Sequence, residues 1–348
     1  MIKIENKNIG INNKVFVIAE IGVNHCGKLN LAKKMIDRAV KCGADAVKFQ
    51  TYSAQNLATP STKKVKYQLN NTRKKETHYQ MLRSLELSKE SHKELFNHCK
   101  KKKIVFLSTP YDKESAKFLY RLGCSAFKTA SADIVDLELH EYLAKKKKPV
   151  IISTGMSNLE EIESCLKIYK KFNNNKIILL HCVSNYPCSS KSLNLKSISL
   201  LKNKFKFMVG YSDHSIGNEA AITSVALGSV VIEKHFTTNR LLPGPDQKTS
   251  ITPKELTKII DDIHSTKEIL GDYKKECQKE EMEMRKISRK SLTLNRNIRK
   301  NQKIKRNYLT LKRPGSGILF TNIKKILGKR AKRHLKKDHQ PKLNDLKK

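Results

Sequence analysis

The chain has 348 residues, which is long for a single small module and short for three domains, so one large domain and one small domain are expected. It carries 71 lysines and arginines against 32 acidic residues, and the net charge of +39 raises nucleic acid or an acidic membrane as partners without excluding an enzyme. No apolar run approaches the ~20 residues of a membrane span. Residues 1–14 lack the apolar core of a signal peptide, which predicts a cytoplasmic protein with no membrane partner. The eight cysteines show no CxxC pair or zinc-finger spacing and are interpreted as free thiols that mostly serve packing.

Eight short apolar runs alternate with helical patterns along the first 271 residues. The runs cover residues 15–20, 46–50, 104–109, 126–131, 150–154, 177–182, 207–212 and 230–236. Helical spacing predicts a helix over residues 29–42, and capping boxes predict helix starts at residues 157–160 and 252–255. Eight strand–helix units in about 250 residues favour the α/β fold of a (β/α)8 TIM barrel over residues 1–271. A doubly wound open sheet is the alternative.

The composition changes after Gly271. Residues 272–284 are charged and are interpreted as a linker. Residues 285–348 carry 23 lysines and arginines against two aspartates, yet they contain enough apolar side chains for a small core. We therefore predict a compact second domain rather than a disordered tail. The expected core side chains are those of Ser291–Leu294 together with Ile298, Ile304, Leu309, Leu311, Ile318, Ile326 and Leu327.

Each predicted strand starts apolar and ends polar, and in a barrel these ends converge on one mouth where active sites are built. Lys48 and Lys128 end the second and fourth strands, and Thr109, Ser131 and Ser153 supply hydroxyl groups nearby. Lysines with short hydroxyl donors describe a cradle for a phosphate or a carboxylate. The chain has no Walker A or GxGxxG sequence, so the phosphate would not belong to a P-loop nucleotide.

Two histidines end the last two strands. His214 follows Asp213, and His235 lies two residues after Glu233, so each histidine has a carboxylate close by in the sequence. Neighbouring strands are about 5 Å apart, so two imidazoles there can share one divalent metal, and Mn²⁺ suits this donor set best, with Mg²⁺ or Co²⁺ as alternatives. His25 and His181 are weaker candidates and are interpreted as structural. Asp246 lies in a proline-rich turn that can aim its carboxylate at the mouth.

These strand ends carry motifs that resemble the sialic acid synthase family, including its legionaminic acid synthases. The motifs are AEIGVNH (19–25), VKFQT (47–51), LSTP (107–110), STGM (153–156), LHC (180–182), GYSDH (210–214), IEKHFT (232–237) and PGPD (243–246). The resemblance resumes with RKSL (289–292) and LKRPGSG (311–317), which are similar to the C-terminal SAF (antifreeze-like) domain of that family.

The resemblance implies condensation of phosphoenolpyruvate with an N-acetylmannosamine-type sugar and water, giving a nine-carbon 2-keto sugar acid and phosphate. It implies that phosphoenolpyruvate is held by Lys48, Thr109, Lys128, Ser131, Ser153 and Ser184. It implies that the metal is held by His214 and His235 and that the sugar is bound by Glu20, Gln50, Tyr186, Glu233, Asp246 and Arg313. The chemistry of the reaction makes Glu20 or Glu233 the candidate for activating water or moving protons. The resemblance also implies a domain-swapped homodimer in which Arg313 of one subunit reaches the partner's sugar.

Three alternatives remain at this point. The sugar can instead be the 2,4-diacetamido-trideoxy hexose of the legionaminic acid branch. A phosphosugar-using barrel synthase would use the same lysines, but the PGPD and RPG motifs disfavour it. A basic nucleic-acid-binding protein is a remote alternative, because the C-terminal region has only Tyr308 and Phe320 as aromatic residues and no recognised nucleic-acid-binding signature, so no specific nucleic acid is expected.

Overall fold

The structure is a computed structural model that describes residues 1–72 and 75–348, and the chain divides into two compact units, residues 1–271 and 272–348. In these described residues the strands are β1 (Ile2–Ile4), β2 (Lys7–Ile9), β3 (Phe16–Gly22), β4 (Ala46–Thr51), β5 (Val105–Pro110), β6 (Phe127–Thr129), β7 (Val150–Ser153), β8 (Ile177–Cys182), β9 (Met208–Asp213), β10 (Val231–His235), β11 (Ser291–Leu294), β12 (Leu309–Lys312), β13 (Arg330–Ala331) and β14 (Leu346–Lys347). The α-helices are α1 (Leu29–Lys41), α2 (Ala54–Leu57), α3 (Lys66–Asn71), α4 (His78–Leu85), α5 (Lys89–Lys102), α6 (Lys113–Leu122), α7 (Leu137–Lys145), α8 (Leu159–Lys171), α9 (Lys196–Phe205), α10 (Glu219–Ala226), α11 (Pro253–Leu270) and α12 (Met282–Ser288). None of these helices combines the length and apolar character needed to cross a bilayer.

Eight parallel strands, β3 to β10, form one sheet in the described residues, in the order β5-β4-β3-β10-β9-β8-β7-β6. The end strands β5 and β6 lie next to one another, so the sheet closes on itself. The predicted barrel is confirmed, the open sheet is wrong, and each strand lies within two residues of its predicted bounds. The hairpin of β1 and β2, which was not predicted, places Ile2, Ile4 and Ile9 in the same apolar cluster as the lower barrel interior.

Side chains along each strand point alternately into the barrel and out toward the helices, and this alternation determines which of them reach the barrel mouth. In β3, Phe16 and Ile18 join the apolar cluster of the barrel interior, while Val17 and Ala19 pack outward against the helices. Because side chains alternate with period 2, the next inward position is Glu20. The same alternation puts polar side chains above the apolar layer in β4, β5 and β10.

Helix starts follow the predicted capping pattern with one shift. Helix α11 begins after Thr252 as predicted, because the Thr252 backbone N–H donates to the Glu255 carboxylate at 2.7 Å. Helix α8 is capped by Asn158 rather than the predicted Ser157. The Asn158 side chain accepts from the Glu161 backbone N–H at 2.9 Å, and the Ser157 hydroxyl instead donates to the Gly155 carbonyl.

The C-terminal unit contains a small apolar core of its own. Strands β11 and β12 pair antiparallel, and Leu292, Leu294, Ile298 and Ile304 are buried beneath them. The expectation that Leu311 belongs to this core is wrong, because its side chain is 39% exposed at the edge of β12. Residues 272–284, interpreted as a linker, fall within this unit, and α12 begins at Met282.

Candidate active site

A cavity of about 520 Å³ opens at the carboxyl ends of the barrel strands. It brings together most of the residues that the sequence nominated from separate strands. Those that line it are Glu20, Lys48, Gln50, Thr109, Lys128, Ser131, Ser153, Tyr186, His214, Glu233, His235 and Asp246. Ser184 and Arg313 are not among the described residues that line it.

Lys48 lies at the centre of the charged floor of this cavity. Its ammonium is 2.9 Å from a Glu20 carboxylate oxygen, 3.7 Å from one of Glu233, and donates to the Thr109 hydroxyl at 3.1 Å. The register of β3 with β4 pairs Glu20 with Lys48 directly, so adjacent strands place the opposite charges together. Two carboxylates and one hydroxyl therefore hold the buried Lys48 ammonium in place at the cavity floor.

Lys128 provides a second cation, from β6, which is separated from β4 by β5. Its ammonium donates to the Ser153 hydroxyl at 2.5 Å and to the Thr129 carbonyl at 2.9 Å, and it lies 3.8 Å from a Glu233 oxygen. Ser212 donates to the same Glu233 oxygen at 2.8 Å. Glu233 therefore lies between two lysines and is held by a hydroxyl.

Burial and charge shift the acidities of these groups in opposite directions. Burial raises the pKa of Glu20 to about 7, although Lys48 opposes the shift. Burial also acts to raise the pKa of Glu233, but the ammonium groups of Lys128 and Lys48 outweigh it, so the pKa falls below its usual range. Burial lowers the pKa of Lys128. Two neighbouring carboxyl groups with separated acidities are typical of catalytic sites.

Hydroxyl groups surround Gly155, just after β7. The Gly155 backbone N–H donates to the Ser131 hydroxyl at 3.1 Å, and the Ser131 hydroxyl is 3.0 Å from the Cys182 sulfur. A Cβ atom on Gly155 would lie 2.6 Å from the Ser184 hydroxyl and 2.8 Å from that of Ser131. Ser184 is therefore beside Ser131 although it does not reach the cavity wall.

If the cavity binds the phosphoenolpyruvate that the family resemblance implies, Gly155→Ala is expected to raise its KM by about tenfold or more. The new methyl displaces the Ser131 hydroxyl, which lines the cavity, and a hydrogen bond to a charged group contributes about 1.5–3 kcal/mol. KM for the sugar is expected to change much less. Steady-state kinetics with each substrate varied in turn measure this difference. An unchanged KM for phosphoenolpyruvate would contradict the placement of this hydroxyl at the anion site.

His214 and His235 lie side by side, with ring centroids 5.5 Å apart. His214 Nδ1 is 2.8 Å from the Val183 carbonyl, so Nδ1 carries the proton and the Nε2 lone pair is available. His235 Nδ1 is buried without a hydrogen-bond partner, 3.8 Å from an Asp246 oxygen. Two neutral imidazoles of this kind fit a divalent metal, with substrate or water completing the coordination. The described residues contain no group of three or more His, Cys, Asp or Glu side chains placed to hold a metal.

The carboxylate of Asp213, which was expected near the metal, does not line the cavity. It is paired with Lys234 on the outer side of the strands and is almost completely buried. The expectation is wrong because Asp213 and His214 are consecutive, and neighbouring positions at a strand end point to opposite sides. Among the weaker candidates, His25 accepts from the Gly27 backbone N–H and His181 contacts the Leu193 carbonyl, as expected of structural histidines.

Tyr186 and Asp246 line the cavity next to the histidines. The Tyr186 ring centroid is 4.2 Å from that of His214 and 5.4 Å from that of His235. Asp246 is buried with its Oδ1 atom unpartnered, and burial raises its pKa to about 6. An aromatic face and a free carboxylate oxygen next to the imidazoles suit a polyhydroxylated ligand.

The structure adds cavity residues that the sequence did not nominate. Tyr67, on the short helix α3, packs against Tyr186 with ring centroids 5.1 Å apart and interacts with Asp246. Asp133 follows Ser131 and lines the cavity with its Oδ2 atom buried and unpartnered. Both lie outside the strand ends, so an analysis restricted to strand ends could not identify them. An acidic residue two positions after the Ser131 hydroxyl was the available signal for Asp133.

Part of the cavity wall is apolar. Val23, after β3, packs in one cluster with Met81, Leu82 and Leu85 of α4, and all four side chains also line the cavity. Leu57 and Ala58 extend this lining from α2. Helices α2 to α4 belong to the long connection between β4 and α5, which is the part of the chain that gives the cavity its apolar side.

Comparison with known proteins agrees with this fold. Residues 35–275 match the NeuB family and residues 289–340 match the SAF domain. The N,N'-diacetyllegionaminic acid synthases of Campylobacter jejuni and Legionella pneumophila are 44% and 40% identical to this chain. The alignments cover 93% of this chain and 98% of the Campylobacter protein, and 94% and 93% for the Legionella protein. A solved sialic acid synthetase from Leptospira borgpetersenii, in complex with citrate, is 39% identical with a TM-score of 0.73, over 81% of this chain and 94% of that one.

The barrel and its cavity define a phosphoenolpyruvate-dependent synthase that forms a carbon–carbon bond, of the sialic acid synthase type. The chain belongs to the NeuB family, and its C-terminal unit is a SAF domain. Arg313 lies in that SAF domain, directly after β12. A truncated 3-deoxy-D-arabino-heptulosonate 7-phosphate synthase from Thermotoga maritima shares the barrel fold at 13% identity and a TM-score of 0.59, over 77% of this chain and 92% of that one.

Proposed function

We propose that this enzyme condenses phosphoenolpyruvate with an N-acetylmannosamine-type sugar and water to give a nine-carbon 2-keto sugar acid and phosphate. The observation that carries the proposal is the meeting of two buried lysines and two histidines in one cavity at the barrel mouth. The lysines suit a small, strongly charged anion, and the side with Tyr186 and Asp246 suits a polyol. We place the reaction in the cytoplasm.

The anion end prepares phosphoenolpyruvate for attack. Lys48 and Lys128 bind its phosphate and carboxylate, with hydroxyls from Thr109, Ser131 and Ser153 completing the contacts. C3 of phosphoenolpyruvate then attacks the sugar aldehyde carbon, and positive charge develops at C2. Water adds at C2, and the tetrahedral adduct expels phosphate by cleavage of the C–O bond. Alignment of both substrates in one cavity lowers the activation free energy of the reaction by up to ~7–11 kcal/mol.

Two carboxylates are candidates for moving the proton of the attacking water. Glu233 is already engaged by Ser212 and two lysines, whereas Glu20 has one lysine as its ion-pair partner. We assign the proton transfer to Glu20, because Glu20 contacts one lysine whereas Glu233 contacts both, so protonation of Glu20 leaves the ion-pair partner of Lys128 unchanged. Glu233 then holds the two lysines in place.

Glu20→Gln is expected to lower kcat by about 10²–10⁴-fold, the usual contribution of general acid–base catalysis, and to change KM for phosphoenolpyruvate less than Glu233→Gln does, because only Lys48 loses a partner. Glu233→Gln is the matched comparison and is expected to alter KM for phosphoenolpyruvate, since Lys48 and Lys128 lose their shared partner. The rate of phosphate release at saturating substrate concentrations measures kcat and so distinguishes the Glu20→Gln variant from the Glu233→Gln variant. Retention of near-normal kcat in Glu20→Gln would assign the proton transfer to another group.

We propose that His214 and His235 hold a divalent metal, Mn²⁺ in the first place, with Mg²⁺ or Co²⁺ as alternatives. Both imidazoles are neutral, since burial lowers the pKa of each one, and a neutral imidazole is the form that ligates. When bound, the metal supplies Lewis-acid polarisation of the sugar aldehyde. The protein residues bind, orient and exchange protons around it.

A second sugar is favoured by a separate observation. The apolar lining from Val23, Met81, Leu82 and Leu85 suits methyl groups, and a 2,4-diacetamido-trideoxy hexose carries a C6 methyl and two acetyl methyls. N-acetylmannosamine presents a C6 hydroxyl there, and desolvation of an unpaired hydroxyl costs about 1–3 kcal/mol. The two legionaminic acid synthases that align with nearly the whole chain support the same sugar.

The test of function is phosphate release from the purified full-length protein with Mn²⁺, phosphoenolpyruvate and one sugar at a time. The panel contains N-acetylmannosamine, the diacetamido-trideoxy hexose, arabinose 5-phosphate and erythrose 4-phosphate. Release with the N-acyl sugars alone supports the proposal, and the ratio of kcat/KM for the first two decides between the N-acyl substrates. Release with the phosphosugars alone would overturn it.

We propose further that the working unit is a domain-swapped homodimer in which Arg313 of one subunit contacts the sugar in the partner's cavity. The fixed fork of guanidinium donors suits an N-acyl carbonyl oxygen. A solution mass of twice 39.8 kDa is expected for the purified protein.

Arg313→Ala is expected to raise KM for the sugar by about 10–100-fold, since a hydrogen bond from a charged group contributes about 1.5–3 kcal/mol, and to leave KM for phosphoenolpyruvate unchanged. Lys312→Ala is the control, because it removes a neighbouring exposed cation that pairs with Asp338. Unaltered sugar kinetics in Arg313→Ala would refute the contribution of this arginine.

A further inference from the structure

A buried ion pair lies directly behind the two histidines, on the outer side of the barrel strands. Residues Asp213 of β9 and Lys234 of β10 are opposite one another in the strand register. Their side chains are 0% and 3% exposed, and the Lys234 ammonium is 2.5 Å from an Asp213 oxygen. This pair plays no part in the reaction described above, because neither residue lines the cavity.

The Asp213 Oδ1 atom accepts three hydrogen bonds, two from Ser215 after β9 and one from Tyr211 within it. It accepts from the Ser215 backbone N–H at 2.8 Å, from the Ser215 hydroxyl at 2.6 Å and from the Tyr211 hydroxyl at 3.3 Å. Lys234 also donates to the Ser215 carbonyl at 2.8 Å. His214 lies between Asp213 and Ser215, and Lys234 contacts both of these residues. The backbone at residue 214 is therefore held against β10.

The geometry links this network to the metal-binding histidines. His214 is flanked by Asp213 and Ser215, and His235 directly follows Lys234 in the chain. The ion pair therefore joins the two backbone segments that carry the imidazoles, while Ser212 and Glu233 join the same strands on the cavity side at 2.8 Å. Each histidine is held between an inner and an outer cross-strand contact.

A purely stabilising role explains this arrangement poorly. Burial of an ion pair costs several kcal/mol of desolvation for each ion, and well-packed apolar side chains of similar volume give equal or greater stability. A fully bonded pair does restrict the relative position of two strands, and metal affinity is sensitive to how the ligands are oriented.

We propose that the Asp213–Lys234 ion pair is a positioning device that sets the separation of His214 and His235 and thereby the affinity for the divalent metal. This inference rests on the proposed metal site. Asp213 and Lys234 act through the histidines and touch neither metal nor substrate.

The test is isothermal titration of Mn²⁺ into the metal-stripped full-length protein. The double variant Asp213→Asn/Lys234→Met removes both charges at similar volume, so no unpaired charge is left buried. We expect its Kd for Mn²⁺ to rise about 10–100-fold, the usual effect of losing a contact that orients metal ligands. We also expect kcat to recover in excess Mn²⁺, with KM for phosphoenolpyruvate unchanged.

A matched exposed pair serves as the control. Glu141→Gln/Lys145→Met removes an ion pair on the surface of α7 and is expected to leave Mn²⁺ binding unchanged. If the double variant folds poorly, Ser215→Ala removes one bond to Asp213 and is expected to raise Kd a few-fold. Mn²⁺ affinity within twofold of wild type, in a variant with a lowered Tm, would reduce the pair to a structural role.

The outcomes also separate this inference from the metal proposal. If His214→Ala leaves Mn²⁺ binding intact, the metal site itself is wrong and the positioning role falls with it. If His214→Ala abolishes Mn²⁺ binding and the double variant does not weaken it, the positioning role alone is wrong.

Discussion

His214→Ala and His235→Ala are each expected to lower kcat by about 10³-fold or more while the protein stays folded. A bound divalent metal contributes several kcal/mol of transition-state stabilisation, and each 1.36 kcal/mol corresponds to a tenfold change in rate. The proposed two-histidine site has no spare protein ligand, since the described residues contain no group of three or more potential donors. Loss of one imidazole therefore removes half of the protein's contribution to metal binding.

The measurement combines turnover at saturating substrates with Mn²⁺ titration and thermal unfolding. His98→Ala is the control. His98 contacts Asp37, is partly exposed and does not lie at the end of a barrel strand. The variants at His214 and His235 should lose Mn²⁺ binding and keep a Tm near wild type, and His98→Ala should retain both properties. Near-normal rates in either cavity variant would remove the metal assignment.

The sequence predicts the barrel well because each strand repeats the same physical pattern. An apolar start packs the barrel interior or the helix layer, and a polar end lies at the mouth, so eight strand positions are recoverable within two residues. Period-2 alternation then places Glu20, Lys48 and Glu233 on one side without any structural information. The same alternation could have excluded Asp213 as a cavity residue, since it precedes His214 directly.

Other features depend on contacts that strand patterns do not encode. The hairpin of β1 and β2 has an alternating signal in Ile2 and Ile4. Strands of three residues are, however, too short to be distinguished by their pattern from an irregular polar segment. Tyr67 lies on a six-residue helix in a long connection, and its contact with Tyr186 depends on how that connection folds across the mouth. Asp133 has only its position two residues after Ser131 as a sequence signal, and the structure adds that its Oδ2 atom is buried without a partner.

Lys128→Met is expected to lower kcat/KM for phosphoenolpyruvate by about 10²–10³-fold. Removal of one partner from a buried charged contact costs about 2–5 kcal/mol, and methionine keeps most of the side-chain volume, so the loss reports on charge rather than on packing. Lys128 is also the lysine that holds the Ser153 hydroxyl, so a second contact to the anion is weakened at the same time.

Isothermal titration of phosphoenolpyruvate into the Mn²⁺-loaded variant measures the binding part of this loss, and initial rates measure the remainder. Lys113→Met, which removes a lysine from an exposed ion pair with Glu138, controls for the reduced net charge of the protein. If general positive potential were sufficient to attract the anion, both variants would show the same small change, as expected for long-range steering. A loss confined to Lys128→Met instead means that one buried ammonium, among the 71 basic residues of the chain, binds the anion directly.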